Sequence, residues 1–247
     1  MSFMRQRFTH YVALLAATAL SLSACTFTTA AGVAKVPSAP RARSAGAPTP
    51  TAAALYQLMR KSGARATSVH IKGAYSDMGQ LTQLDVAGDC TGTTMRMLVD
   101  FGTGQIEVLK VNDDFYLKAD AAYWNRLEGS AAITKSAAGK YVKVPAGSAA
   151  GMGDFRVATL LGQVLTEDIS AADELNPKVQ MTDVDGVPAY LVTTKGGGAK
   201  LYISANGQGR LLRAESAKTG TLNFTQWDSV EATSPPPASQ LAKTSSL

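Results

Sequence analysis

Histidine and cysteine are the scarcest reactive residues of this 247-residue chain, two of each, and their scarcity excludes much chemistry. His10 falls in the leader described below, so a Ser/His/Asp or Cys/His site would have to use His70. That residue sits in the alternating run Val69-His70-Ile71 and faces away from its apolar neighbours, the position of a half-exposed strand residue. No histidine and cysteine grouping has the spacing of a zinc site, so no metal is expected. Cys90, beside Asp89 and Gly92, reads as a buried or turn thiol rather than a nucleophile. An excess of one charge is also missing. The 24 Lys+Arg and 19 Asp+Glu leave +5, and loss of Arg5 and Arg7 with the leader gives 22 − 19 = +3, too weak and dispersed for nucleic acid. Mild attraction to anionic lipid is compatible with it. Phosphate and calcium loops are lacking too. Gly102-Thr103-Gly104 and Gly196-Gly197-Gly198 are not the Walker pattern and precede no helix start, and Asp183-Val184-Asp185-Gly186 is not followed by the remaining ligands of a calcium loop. These segments read as turns, and no cofactor is expected.

The uncharged apolar run from Tyr11 to Leu22 is 12 residues against the ~20 of a membrane-spanning helix. Preceded by Arg5 and Arg7 and followed by small residues, it has the layout of a secretory signal peptide over 1–24. Leu22-Ser23-Ala24-Cys25 resembles the bacterial lipobox, in which a diacylglyceryl group is joined to the cysteine sulfur and a peptidase cuts just before it. The resemblance implies lipid attachment at Cys25 and a location at the cell membrane, on its extracytoplasmic face. Two acyl chains hold a protein stably where one binds only marginally. With Cys25 lipidated, Cys90 has no partner for an intramolecular disulfide, and stability must come from a core.

Residues 25–50 carry Pro37, Pro40, Pro48 and Pro50 among small and basic residues without apolar periodicity, and read as a flexible tether after the lipidated cysteine. Residues 233–247, with Pro235, Pro236 and Pro237, read as a disordered tail. Between them, 51–232 reads as one domain. It opens with a helix over Thr51 to Lys61, in which Leu55, Leu58 and Met59 share a face, closed near Gly63. The period then changes to two. Strands are predicted at 68–75, 81–88, 94–101, 105–111 and 114–118, and again at 178–183, 187–194, 200–205, 211–217 and 221–227. Turn signals at Met78-Gly79, Gly88-Asp89, Asn112-Asp113, Asp185-Gly186, Asn206-Gly207 and Thr219-Gly220 separate them. The middle loses the alternation: Ala121 to Ser136 reads as helical around Trp124 and Leu127. Asp154 can cap a second helix carrying Phe155, Val157, Leu160, Leu161, Val164 and Leu165, with 147–153 as a connection. The fold class is therefore α+β, a large antiparallel sheet with helices on one face.

The apolar side of that sheet is the most pronounced pattern in the sequence. Met95, Met97, Val99 and Phe101 alternate along one strand and Ile106 and Val108 along the next, and Leu84, Val86, Phe115, Leu117, Leu201, Ile203, Leu222 and Phe224 continue the habit. Alternation alone describes a core under helices; methionines on the inner face are also compatible with an adaptable apolar pocket.

The order of elements resembles the LppX/LprG-type lipoproteins of actinobacteria, relatives of the LolA and LolB lipoprotein carriers and of the sensor RseB. The resemblance rests on the lipobox, on Ser68-Val69-His70-Ile71-Lys72-Gly73, and on the run Val111 to Ala119 followed by Tyr123-Trp124. It continues in the run Gly139 to Pro145, in Val184-Asp185-Gly186-Val187-Pro188-Ala189, and in Leu201-Tyr202-Ile203. It implies a curved sheet, a half-barrel covered by helices, enclosing a cavity for the acyl chains of lipids or glycolipids. The lining would come from Leu84, Val86, Met95, Met97, Val99, Phe101, Ile106, Val108, Phe115, Leu117, Leu160, Leu161, Leu201 and Ile203. It further implies a non-enzymatic lipid-binding or lipid-transfer protein, with an envelope transport partner of unspecified identity. The alternative is a surface sensor or scaffold of the same fold that binds a protein partner without carrying lipid.

Overall fold

Turn chemistry and period-two alternation produce a meander that folds back on itself. The computed structural model describes residues 48–77, 80–126, 135–144, 156–167, 174–216 and 220–243. The chain divides into two units, Met1–Ala45 and Gly46–Leu247, and all described residues belong to the second. The leader, Cys25, most of the tether, the Met78-Gly79 turn, Leu127, residues 147–153, Asp154, Phe155 and the side chains of Val164 and Leu165 lie outside them.

Eleven strands form one antiparallel sheet: β1 (Ser68–Asp77), β2 (Gln80–Asp89), β3 (Thr94–Asp100), β4 (Gln105–Val111), β5 (Asp114–Ala119), β6 (Tyr141–Lys143), β7 (Gln180–Val184), β8 (Val187–Thr193), β9 (Ala199–Ser204), β10 (Leu211–Ser216) and β11 (Gly220–Thr225). Their order is β6-β5-β4-β3-β2-β1-β11-β10-β9-β8-β7. The first and last strands thus meet at the centre, and the sheet is open, with β6 and β7 at its edges. The turn at Asp185-Gly186 takes φ values of 52° and 83°, and Asp183 Oδ1 accepts the Gly186 N–H at 2.8 Å. The acidic run is therefore a hairpin of the primed type.

Two lines of paired residues define the inner face. Ile71, Val86, Met97, Val108, Leu117 and Val142 run from β1 to β6. Val192, Leu201, Ala214, Leu222, Gly73, Leu84, Val99, Ile106 and Ala119 run from β8 across the centre to β5. Glycine breaks this face where the strands crowd. A Cβ on Gly73 would collide with the Thr221 carbonyl oxygen on β11, and one on Gly88 would lie 2.5 Å from that of Thr94 on β3. At both positions the backbone of a neighbouring strand approaches too closely for a side chain, one of the settings that a glycine in a strand marks.

Besides a helical stretch at 135–137, three α-helices are described. Helix α1 (Ala52–Ala64) is capped by Thr51, whose hydroxyl oxygen accepts the Ala54 N–H at 3.2 Å. Ala52, Leu55, Tyr56, Met59 and Gly63 are buried, whereas Leu58 is 37% exposed, so the face predicted through Leu58 is rotated toward Tyr56. Helix α2 (Ala121–Arg126) covers the start of the segment predicted as helical, and α3 (Val157–Glu167) the second. All three pack against the inner face in one core containing Tyr56, Tyr123, Trp124, Val157 and Leu161 together with the strand residues.

Two segments differ from expectation. Residues 141–143 form the edge strand β6, too short for alternation to reveal. The segment after Ser234, expected to be disordered, is placed as far as Lys243: Leu241 bridges Tyr141 in parallel, the Ala242 N–H donates to the Tyr141 carbonyl at 2.8 Å, and Pro236 and Ala242 are buried. On the outer face Leu241 packs against Leu109, Tyr116 and Tyr141. Composition could not disclose this, because the apolar surface that holds the tail is assembled from β4, β5 and β6.

Candidate functional site

The inner face is where the sequence directs attention, and the structure brings all fourteen of the proposed lining residues into one apolar cluster. Val86, Met95, Met97, Val99, Ile106, Val108, Phe115, Leu161, Leu201 and Ile203 are buried; Leu84, Phe101, Leu117 and Leu160 are partly buried against them. The strand residues stand on alternate positions and therefore point to one side. Helix α3 lies against β2 and contributes Leu160 and Leu161. This surface offers dispersion and hydrophobic contact, with each fully buried Leu, Ile, Val, Met or Phe worth ~1.5–3 kcal/mol.

Two polar groups interrupt it, and neither was among the lining residues expected from sequence. Lys110 follows Ile106 and Val108 on the inner side of β4, is 5% exposed, and holds its Nζ 5.3 Å from the centroid of Phe115 among other interactions. A cation there is tolerated only with compensating contacts, of which the ring face is one. Its signal was the break in the Ile-x-Val-x-Lys alternation. Trp124 is 9% exposed, and its Nε1–H is a buried donor without an acceptor among the described residues. No sequence signal distinguishes such a tryptophan from a satisfied one.

The outer face is built from charges in register. Asp85 accepts from His70 Nε2 at 2.8 Å and pairs with Lys72 at 3.0 Å; burial opposes ionisation of Asp85, but these two partners outweigh it and hold its pKa below the usual value. His70 Nδ1 lies 3.4 Å from Thr225 Oγ1. The sole histidine of the predicted domain is thus a cross-strand tie linking β2, β1 and β11. Farther along, Glu107 is met by Arg96 at 2.6 Å, Lys118 at 3.8 Å and the Tyr141 hydroxyl; burial and then Glu107 push the Tyr141 pKa up to about 12. Burial, then Asp89 and Asp228, raise the Cys90 thiol pKa, disfavouring the thiolate that a nucleophile requires.

At the β2–β3 turn, Asp89 collects the hydroxyl and N–H groups that follow it. Its carboxylate accepts from the Thr91 hydroxyl, from the Thr93 N–H at 3.0 Å, and from both the N–H and the hydroxyl of Thr94. Partial burial raises its pKa, yet the four donors prevail and lower it to about 2. Among the described residues no group of three or more His, Cys, Asp or Glu could hold a metal ion, and no helix is long and apolar enough to cross a membrane.

No protein-family model and no curated protein matches the chain. Among solved structures, an uncharacterized conserved protein from Thermus thermophilus is similar at a TM-score of 0.35 and 10% identity, covering 76% of this chain and 94% of that one.

Proposed function

We propose that this chain is a non-enzymatic lipoprotein, anchored through Cys25 on the extracytoplasmic face of the cell membrane, that binds or transfers lipids or other acylated molecules on the inner face of its sheet. The observation that carries the reading is the extent of that face: one apolar cluster spans an open sheet from β8 to β6, and Leu84, Phe101, Leu117 and Leu160 are only partly covered. An acyl chain of ~16 carbons leaving water for such a surface gains up to ~13 kcal/mol, at ~0.8 kcal/mol per CH₂. Taken from a bilayer, the same chain gains little, so loading and release are reversible. The resemblance to LppX/LprG-type lipoproteins and LolA-like half-barrels supports the same reading.

The test is native mass spectrometry of protein recovered from its own membrane. Bound lipid beyond the mass of the anchor is expected, and it should persist in a Cys25→Ala protein recovered without the anchor. Recovery of ligand-free protein in both forms would remove the reading. A second reading, a surface sensor or scaffold that binds a protein partner, draws on the ion-paired outer face and on the burial of ten of the fourteen inner residues. It predicts a ligand-free interior and a partner lost on charge reversal at Arg96 or Lys118.

A further inference from the structure

Tryptophan carries one N–H donor and no acceptor, so an indole taken out of water needs an acceptor within reach. The two tryptophans of this chain differ in that respect. Trp227 donates its Nε1–H to the Leu211 carbonyl at 2.9 Å. Trp124 is as deeply placed as a core residue, at 9% exposure, and its Nε1–H meets no acceptor among the described residues. Leaving a buried donor unsatisfied costs about 1–3 kcal/mol.

The orphan is held in place. Helix α2 is pinned at its first turn by Asp120, whose Oδ1 accepts the Tyr123 N–H at 2.7 Å while its Oδ2 accepts the Gln105 N–H of β4 at 3.0 Å. The Trp124 backbone N–H donates to the Asp120 carbonyl at 3.2 Å, and the indole stands edge-on to Tyr123, centroids 6.0 Å apart. It belongs to the inner-face cluster that also holds Ile106, Leu117 and Ala119. A fixed donor in an apolar wall selects a molecule that is apolar over most of its length and carries an acceptor oxygen.

We propose that Trp124 Nε1 donates a hydrogen bond to the carbonyl oxygen of an acyl group, so that the inner face selects acyl esters over hydrocarbon chains of the same length. The inference rests on the lipid-binding reading and adds to it the chemical class of the ligand. A carbonyl oxygen can come from a glycerol ester or from a free fatty acid, and the two are separable by experiment.

The full chain, stripped of lipid in detergent, is titrated with dipalmitoylglycerol, with its diether analogue dihexadecylglycerol, which lacks the carbonyls, and with palmitic acid. The diester is expected to bind roughly tenfold more tightly than the diether, the equivalent of one hydrogen bond, and in Trp124→Phe the ratio of the two affinities should fall to about one. Palmitic acid binding like the diester, with the same loss in Trp124→Phe, would make a free acid the source of the carbonyl; weaker acid binding would make it an ester. Should Trp124→Phe fail to fold, the two indole N–H resonances of the unaltered protein give the answer: one is expected to move downfield with diester and not with diether. Equal affinity for diester and diether, or discrimination that survives Trp124→Phe, overturns the inference and leaves the lipid reading standing. Binding of none of the three overturns both.

Discussion

Asp89 gathers four donors from three threonines, and an acid that spends its lone pairs in this way holds its proton weakly. Its folded pKa of about 2 lies below the reference value of 3.8. A depressed carboxylate contributes stability that is fully present above the unfolded pKa and lost as pH falls through the folded one. Between about pH 4 and pH 2 the protein should therefore lose on the order of 1–2 kcal/mol through this residue alone, after allowance for solvent screening. In Asp89→Asn that part of the acid dependence should be absent, with a comparable loss of stability at neutral pH. Denaturant midpoints for both proteins at pH 7, 4 and 2 measure it, and parallel acid profiles would refute the assignment. The donors Thr91, Thr93 and Thr94 are close in sequence, yet only the β2–β3 turn aims them at one carboxylate, so the cluster was half legible beforehand. Val86, Met97 and Val108 announce themselves fully by alternation and meet in register on the inner face. Lys110 and Trp124 do not, because burial of a cation or of an indole donor is decided by strands and helices far along the chain.

Elements were legible where turn chemistry and period agreed. Asp185-Gly186 placed a hairpin, and the structure forms it with two positive φ angles. The three residues of β6 gave no period to read, and α1 was rotated by one position because Leu58 and Tyr56 both fit a helical stripe. Close approach of neighbouring strands was written only as glycine, and glycine in a strand has several meanings until its neighbours are known. At Gly73 the neighbour is the Thr221 carbonyl, standing where a Cβ would need to be, and backbone cannot swing aside as a flexible side chain can. Gly73→Ala must push β1 and β11 apart at the centre of the sheet, where the two halves of the chain are joined. We expect a loss of about 1–3 kcal/mol, the usual penalty for forcing atoms into a packed region. Gly162 in α3 is the matched control, since a Cβ there meets no described atom within 4 Å. Gly162→Ala should be neutral or stabilising by up to ~1 kcal/mol through helix propensity. Thermal unfolding of the two variants side by side decides whether position 73 is a site of obligatory close approach or merely a weak spot in a strand.

For the whole molecule the open sheet poses a question that composition could not raise: two edges of unpaired backbone, β6 and β7, must be kept from pairing with other chains. The edge at β6 has a local answer. Leu241 and Ala242 run beside Tyr141, and Leu241 covers the apolar outer patch of Leu109, Tyr116 and Tyr141. Lysines ring that patch, with Lys118 Nζ 5.2 Å from the Tyr141 ring and Lys143 Nζ 5.9 Å from the Tyr116 ring. Pro235, Pro236 and Pro237 hold the approach extended, so a segment with the composition of a linker serves as an edge cover. Ending the chain at Ser234 would bare both the edge and the patch. The full chain should sediment as a monomer and the shortened protein should form concentration-dependent dimers through β6, with Leu241→Ser shifting the same equilibrium by a smaller amount. Sedimentation velocity over a hundredfold range of concentration distinguishes the cases. A shortened chain that stays monomeric, with an unchanged unfolding midpoint, would mean that the tail rests on the edge without guarding it.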